Sequence, residues 1–123
     1  MRPAQLEKLR IAAELSLQRE MAQLGEVERQ RRLLREQADR LEVATRVDIS
    51  AADGDAIGGH DLLFADRARM AARQHLSKCR NLLTGLDQGP RAIARDRVRK
   101  ALAKKSVIDD LIDQSRQSRR EKA

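Results

Sequence analysis

Apolar residues recur at helical spacing along most of this chain. From Leu6 the series runs through Leu9, Ala13, Leu17, Met21, Leu24, Val27, Arg31, Leu34 and Ala38 to Leu41. It covers 35 residues in ten steps, a mean of 3.5, which is the coiled-coil period rather than the 3.6 of a straight helix. Glu, Arg and Gln fill the positions between, all strong helix formers. The spacing predicts a first helical arm over about 3–44, with Pro3 in its first turn, where a missing N–H costs nothing. Arg31 interrupts the apolar seam. Its stem can pack while the guanidinium reaches outward, or it can specify register at some cost in stability.

The pattern breaks at "TRVDISAADGDAIGGHD", Thr45 to Asp61, which reads as the polar connection between two arms, a turn over about 45–60. Helical spacing returns over about 61–117. Its seam is Leu62, Ala65, Ala68 or Arg69, Ala72, Leu76, Cys79, Leu83 and Leu86. Past "TGLDQGPR" it continues as Ile93, Arg97 or Val98, Ala101, Lys105, Ile108 and Leu111 or Ile112. Gly85, Gly89 and Pro90 predict a kink or short break near 85–90, because an interior Gly costs about 1 kcal/mol and an interior Pro about 3 kcal/mol relative to Ala. The basic tail, 118–123, is expected to fray.

Two long stripes joined by one turn bury each other most simply as an elongated antiparallel two-helix coiled-coil hairpin, an all-α single domain over 1–123. Arm one alone would span roughly 60 Å. With the turn centred near Asp53, residues whose numbers sum to about 106 face each other, so Leu6 is expected opposite Lys100. Residues past Ser106 then lack a partner from arm one. The patch Val107, Ile108, Leu111 and Ile112 becomes an apolar overhang, a candidate interface.

Composition sharpens this picture. One Phe is the sole aromatic and 37% of residues are charged, which points to thin helix–helix seams rather than a compact core. The net charge is +7. Residues 1–60 hold 10 Lys/Arg against 11 Asp/Glu, and residues 61–123 hold 16 against 8. The second half therefore suits an acidic partner surface, nucleic acid or anionic lipid, unless its charges serve only as a solvated face. The single cysteine, Cys79, has no internal disulfide partner, which fits a reducing compartment. "MRPAQLEKLR" carries no apolar leader core, and no stretch approaches a membrane span. A cytoplasmic protein without membrane insertion is expected.

Little in the sequence points to chemistry, and no catalysis, cofactor or metal is expected. His60 and His75 stand alone, and Gly58-Gly59 lacks the lysine of a phosphate-binding loop. Asp48, Asp53 and Asp55 do not start the alternating ligand register of a calcium loop. Cys79 lies on the apolar stripe, as a packed thiol would. "RAIARDRVRKALAKK" sets Arg91, Arg95, Arg97, Arg99, Lys100, Lys104 and Lys105 around a helix, enough to neutralise phosphates without reading bases. No aromatics punctuate the run for stacking. A basic nucleic-acid-binding accessory protein is thus the alternative reading, with a generic coiled-coil adaptor behind it.

Two quoted segments carry a family resemblance. The lead "MRPAQLEKLRIAAELSLQREMAQLGEVERQRRLLREQADRL" and the ending "RKALAKKSVIDDLIDQSRQSRREKA", with the polar turn and long return arm between them, resemble the FliJ/YscO-type proteins of flagellar and injectisome type III export. The resemblance implies an antiparallel coiled coil akin to the stalk of rotary ATPases. It implies a cytoplasmic, peripheral location at the base of the export apparatus. The terminal end would engage the export ATPase hexamer and promote its assembly, while other parts contact the cytoplasmic domain of the export gate and escort chaperones. Mapped onto this chain, Val107, Ile108, Leu111, Ile112, Arg116, Arg119 and Arg120 belong to the ATPase-proximal end, with Leu6 and Leu9 beside them. Gate contact would fall on the turn-side half, at Leu34, Leu41 and Phe64. The interrupted arm at Gly85, Gly89 and Pro90, and the shortage of aromatics, depart from the family's pattern.

Overall fold

The computed structural model describes residues 2–46 and 59–122, and these are almost wholly helical. Helix α1 spans Pro3–Arg46, α2 spans Gly59–Gln88 and α3 spans Pro90–Lys122. Of the expected turn, residues 47–58, with Asp48, Asp53 and Asp55, lie outside the described residues, as do the side chains of His60 and Asp61.

The start of α1 is built as its sequence suggests. Pro3 opens the helix. The Gln5 and Leu6 amides donate to the Arg2 carbonyl at 3.0 and 3.1 Å. Gln5 Oε1 accepts back from the Arg2 amide at 3.3 Å. Donors that a helix start leaves unpaired are thus met locally. At the other end, Thr45 Oγ1 donates to the Glu42 carbonyl at 2.7 Å and Arg46 pairs with the Glu42 carboxylate at 2.6 Å.

The expected break near 85–90 is narrower than the sequence suggests. Only Gly89 leaves the helix, so α2 and α3 form one long helix bent at that residue. Gly85 stays helical, and no backbone there adopts a left-handed conformation. A lone interior Gly costs only about 1 kcal/mol, which the rest of α2 absorbs. Pro90 is accommodated as the first residue of α3, where no N–H is needed. The Ile93 amide still donates to the Gly89 carbonyl at 3.0 Å, so the hydrogen-bond ladder resumes at once.

The tail differs from expectation in the other direction. Residues expected to fray from 118 are helical through Lys122. Arg119, Arg120 and Lys122 occupy the last turn, where cations favour the helix's negative end. Arg119 also borders a hollow with Pro3 and Leu6 of α1.

The chain divides into two compact units, residues 1–28 with 89–123, and residues 29–88. In the second, Ala38, Leu76 and Cys79 form a small buried cluster, with Leu41 and Leu83 packed on it. In the first, Leu6, Leu17, Ala94 and Ala101 are the buried residues. No described side chain is buried completely. The seams are thin, as the missing aromatics imply.

Within each unit an ion pair fixes the register. Arg31 Nε bonds Asp87 Oδ1 at 2.8 Å in one, and Arg91 Nε bonds Glu28 Oε1 at 2.7 Å in the other. The paired numbers add to 118 and 119, not to 106. Leu6 accordingly lies beside Leu111 and Ile112, not opposite Lys100. A sum of 106 requires the connection to be divided evenly about Asp53. Instead the opening turns of α2 carry the slack: Leu62, Leu63, Phe64 and Met70 are 40–73% exposed. The overhang expected past Ser106 is therefore covered in part by the start of α1.

Candidate functional site

The end of the first unit is formed by the first turns of α1 and the last turns of α3. Pro3, Leu6, Leu111, Ser115, Arg119 and Lys122 border an open hollow of ≈590 Å³. A smaller hollow of ≈140 Å³ beside it is lined by Leu6, Glu7, Ile112, Ser115 and Arg116 among others. The apolar patch is split by helical geometry. Ile108 and Ile112 are half-buried, whereas Val107 is 58% and Leu111 42% exposed. Two residues adjacent in sequence face different ways on a helix, so one member of each pair is spent on the seam and the other stays open. Ala103, Lys104, Val107 and Ile108 border a further apolar hollow of ≈350 Å³.

The structure thus brings Leu6, Leu111, Ile112, Arg116 and Arg119 to one end. Leu6, only 5% exposed, is a packing residue there and offers little surface to a partner. Leu9 is 41% exposed. Arg116, Arg119 and Arg120 are exposed. Of the turn-side residues, Leu41 packs on the Ala38 cluster, Leu34 is half-buried and Phe64 is open to solvent.

Charge is organised around this end. Arg10 pairs with Glu7 one turn away, and Glu14 and Asp109 add negative charge nearby, so its guanidinium is held more firmly charged than usual. Its Nε and Glu20 Oε2 have no hydrogen-bond partner among the described residues. These residues interrupt the predicted seam: Arg10 and Glu20 are half-buried, while Leu9 and Met21 beside them are exposed. Sequence reasoning placed the leucine and methionine inward because apolarity was the only signal available.

Among the described residues, no three His, Cys, Asp or Glu side chains converge to hold a metal. Cys79 is a buried free thiol and His75 is exposed. No described helix is long and apolar enough to cross a membrane. The architecture defines a helical protein with thin seams and exposed apolar and basic helix faces. No family model, curated protein or solved structure matches the chain.

Proposed function

We propose that this protein is a non-enzymatic stalk or escort component of a type III protein export apparatus, the flagellar one first. It binds the export ATPase ring and promotes its assembly or activity. The whole chain acts as an antiparallel coiled-coil hairpin, peripheral at the base of the apparatus. The single observation that carries the reading is the end of the first unit. There Val107 and Leu111 stand open on a helix whose other face is packed against α1, beside exposed Arg116, Arg119 and Arg120. An aliphatic patch rimmed by cations suits docking into a partner cavity, with the charges steering the encounter. The resemblance of the lead and ending to FliJ/YscO-type proteins supplies the partner. Leu34, Leu41 and Phe64 remain the positions proposed for the export gate and chaperones, with Phe64 the most accessible.

Sedimentation velocity of the full chain mixed with the export ATPase from the same genome tests the binding. Co-sedimentation is expected, and its loss in Val107→Asp/Leu111→Asp. An unchanged ATPase boundary, with the chain folded and helical, contradicts the proposal.

A second reading rests on one observation: Arg95, Arg97, Arg99, Lys100 and Lys104 are all exposed on α3. It predicts nucleic-acid binding that weakens steeply as salt rises. Titration of a duplex at two salt concentrations separates the two readings.

A further inference from the structure

Helix α3 carries two neighbouring rows of side chains. The inner row is Ala94, Val98, Ala101, Lys105, Ile108 and Ile112, and each member is buried or half-buried. One residue earlier at every step runs an outer row: Ile93, Arg97, Lys100, Lys104, Val107 and Leu111. Every member of the outer row is exposed. Both rows alternate steps of four and three residues, the spacing that keeps side chains on one helix face. A helix that packs against a single neighbour needs only one such row.

The outer row is aliphatic at both ends and cationic in the middle. Ile93, Val107 and Leu111 are 56%, 58% and 42% exposed. The hollow beside Val107 is apolar-walled, floored by Ala103, Ile108 and the stem of Lys104. Lys100 is tied to Asp96 at 3.0 Å. Arg97 and Lys104 take part in no ion pair among the described residues. Two cations without partners, bracketed by open aliphatic side chains, define the complement.

We propose that this outer row is a second helix-docking face, and that its occupant is an amphipathic helix of another protein, aliphatic at its ends and acidic in its middle turns. The charge pattern selects this occupant. A second copy of the row, laid antiparallel on the first, would set Lys100 against Lys104, cation against cation at the centre, and Arg97 against Val107, so no cation of the row would meet a carboxylate of the row. A nucleic-acid backbone would pair with Arg97 and Lys104 but leave Ile93, Val107 and Leu111 against a solvated, charged surface. The row has no aromatic on which bases could stack. An acidic amphipathic helix satisfies both chemistries, by the groove-and-ridge packing that the inner row already makes. The row shares Val107 and Leu111 with the contact proposed for the export ATPase, while Arg97 and Lys104 lie outside that contact, so Arg97→Glu/Lys104→Glu tests this face separately.

The test uses the full chain and a fluorescein-labelled synthetic helix of about five turns, with Leu at its ends and Glu in its middle. Its counterpart has Lys in place of Glu, and a DNA duplex serves as the polyanion control. Fluorescence anisotropy is read at near-physiological salt. The Glu helix should bind and the Lys helix should not. Arg97→Glu/Lys104→Glu should weaken binding by about tenfold or more, as expected for reversed charges at an interface. Val107→Ser/Leu111→Ser should weaken it by roughly fivefold, with helicity by circular dichroism unchanged in both. Failure of the Glu helix to bind would overturn the proposal. So would duplex binding as tight as that of the Glu helix and indifferent to the Val107 and Leu111 changes, which would make the face a bare polyanion patch. Self-association of the chain abolished by Arg97→Glu/Lys104→Glu would overturn it as well.

Discussion

At the residue scale, two arginines do what apolar side chains do in ordinary seams. Arg31 and Arg91 have side chains only 20% and 19% exposed, and each ends on a carboxylate of the facing helix. Their stems fill seam volume, and the fork fixes which residue lies opposite. Arg31 at a seam position was legible in the sequence; its partner was not, because Asp87 lies 56 residues away and many carboxylates compete. A double-mutant cycle on Arg31→Ala and Asp87→Ala, followed by urea unfolding, should give a coupling of about 0.5–1 kcal/mol that shrinks in molar salt. A coupling near zero at low salt would remove the pair from the determinants of register. The aliphatic members carry more. Leu17→Ala or Leu76→Ala, each at a site less than a tenth exposed, should cost about 2–3 kcal/mol, at the low end for buried leucines because the thin seam can collapse around the gap.

At the element scale, the helices themselves were legible and their register was not. A 3.5-residue period with strong helix formers between apolar positions leaves little alternative to α1, and Pro90 after Gly89 marks the one bend. Register depends on how residues are apportioned between the connection and the helix ends, and periodicity carries no information about that. Every seam position shifts by whole turns without disturbing the pattern. The exposed start of α2, around Leu63 and Phe64, is where the difference accumulated. The glycines give a clean check on the helices. A Cβ added at Gly25 or Gly85 would meet nothing within 4 Å. Gly25→Ala and Gly85→Ala should therefore each stabilise the protein by about 0.5–1 kcal/mol, read as a rise in the urea midpoint. A fall at either site would mean that the helix is interrupted there.

At the scale of the whole molecule, the candidate site was legible in composition and misread in geometry. Val107, Ile108, Leu111 and Ile112 announce themselves as aliphatic residues before a basic tail, and Leu111 and Ile112 do gather at one end with the start of α1. Under the expected register all four would overhang together; under the observed one, Ile108 and Ile112 serve the seam and Val107 and Leu111 remain exposed. Removing everything beyond Ser106 would therefore strip Leu6 of its packing and confuse folding with binding. Point changes at the exposed pair keep the two apart. The most direct test of the account is the turnover of the export ATPase from the same genome, titrated with the full chain and with Val107→Asp/Leu111→Asp. The account predicts stimulation by the full chain, lost in the variant while its helicity and urea midpoint are retained. Equal stimulation by both, or none by either with the chain folded, would contradict it.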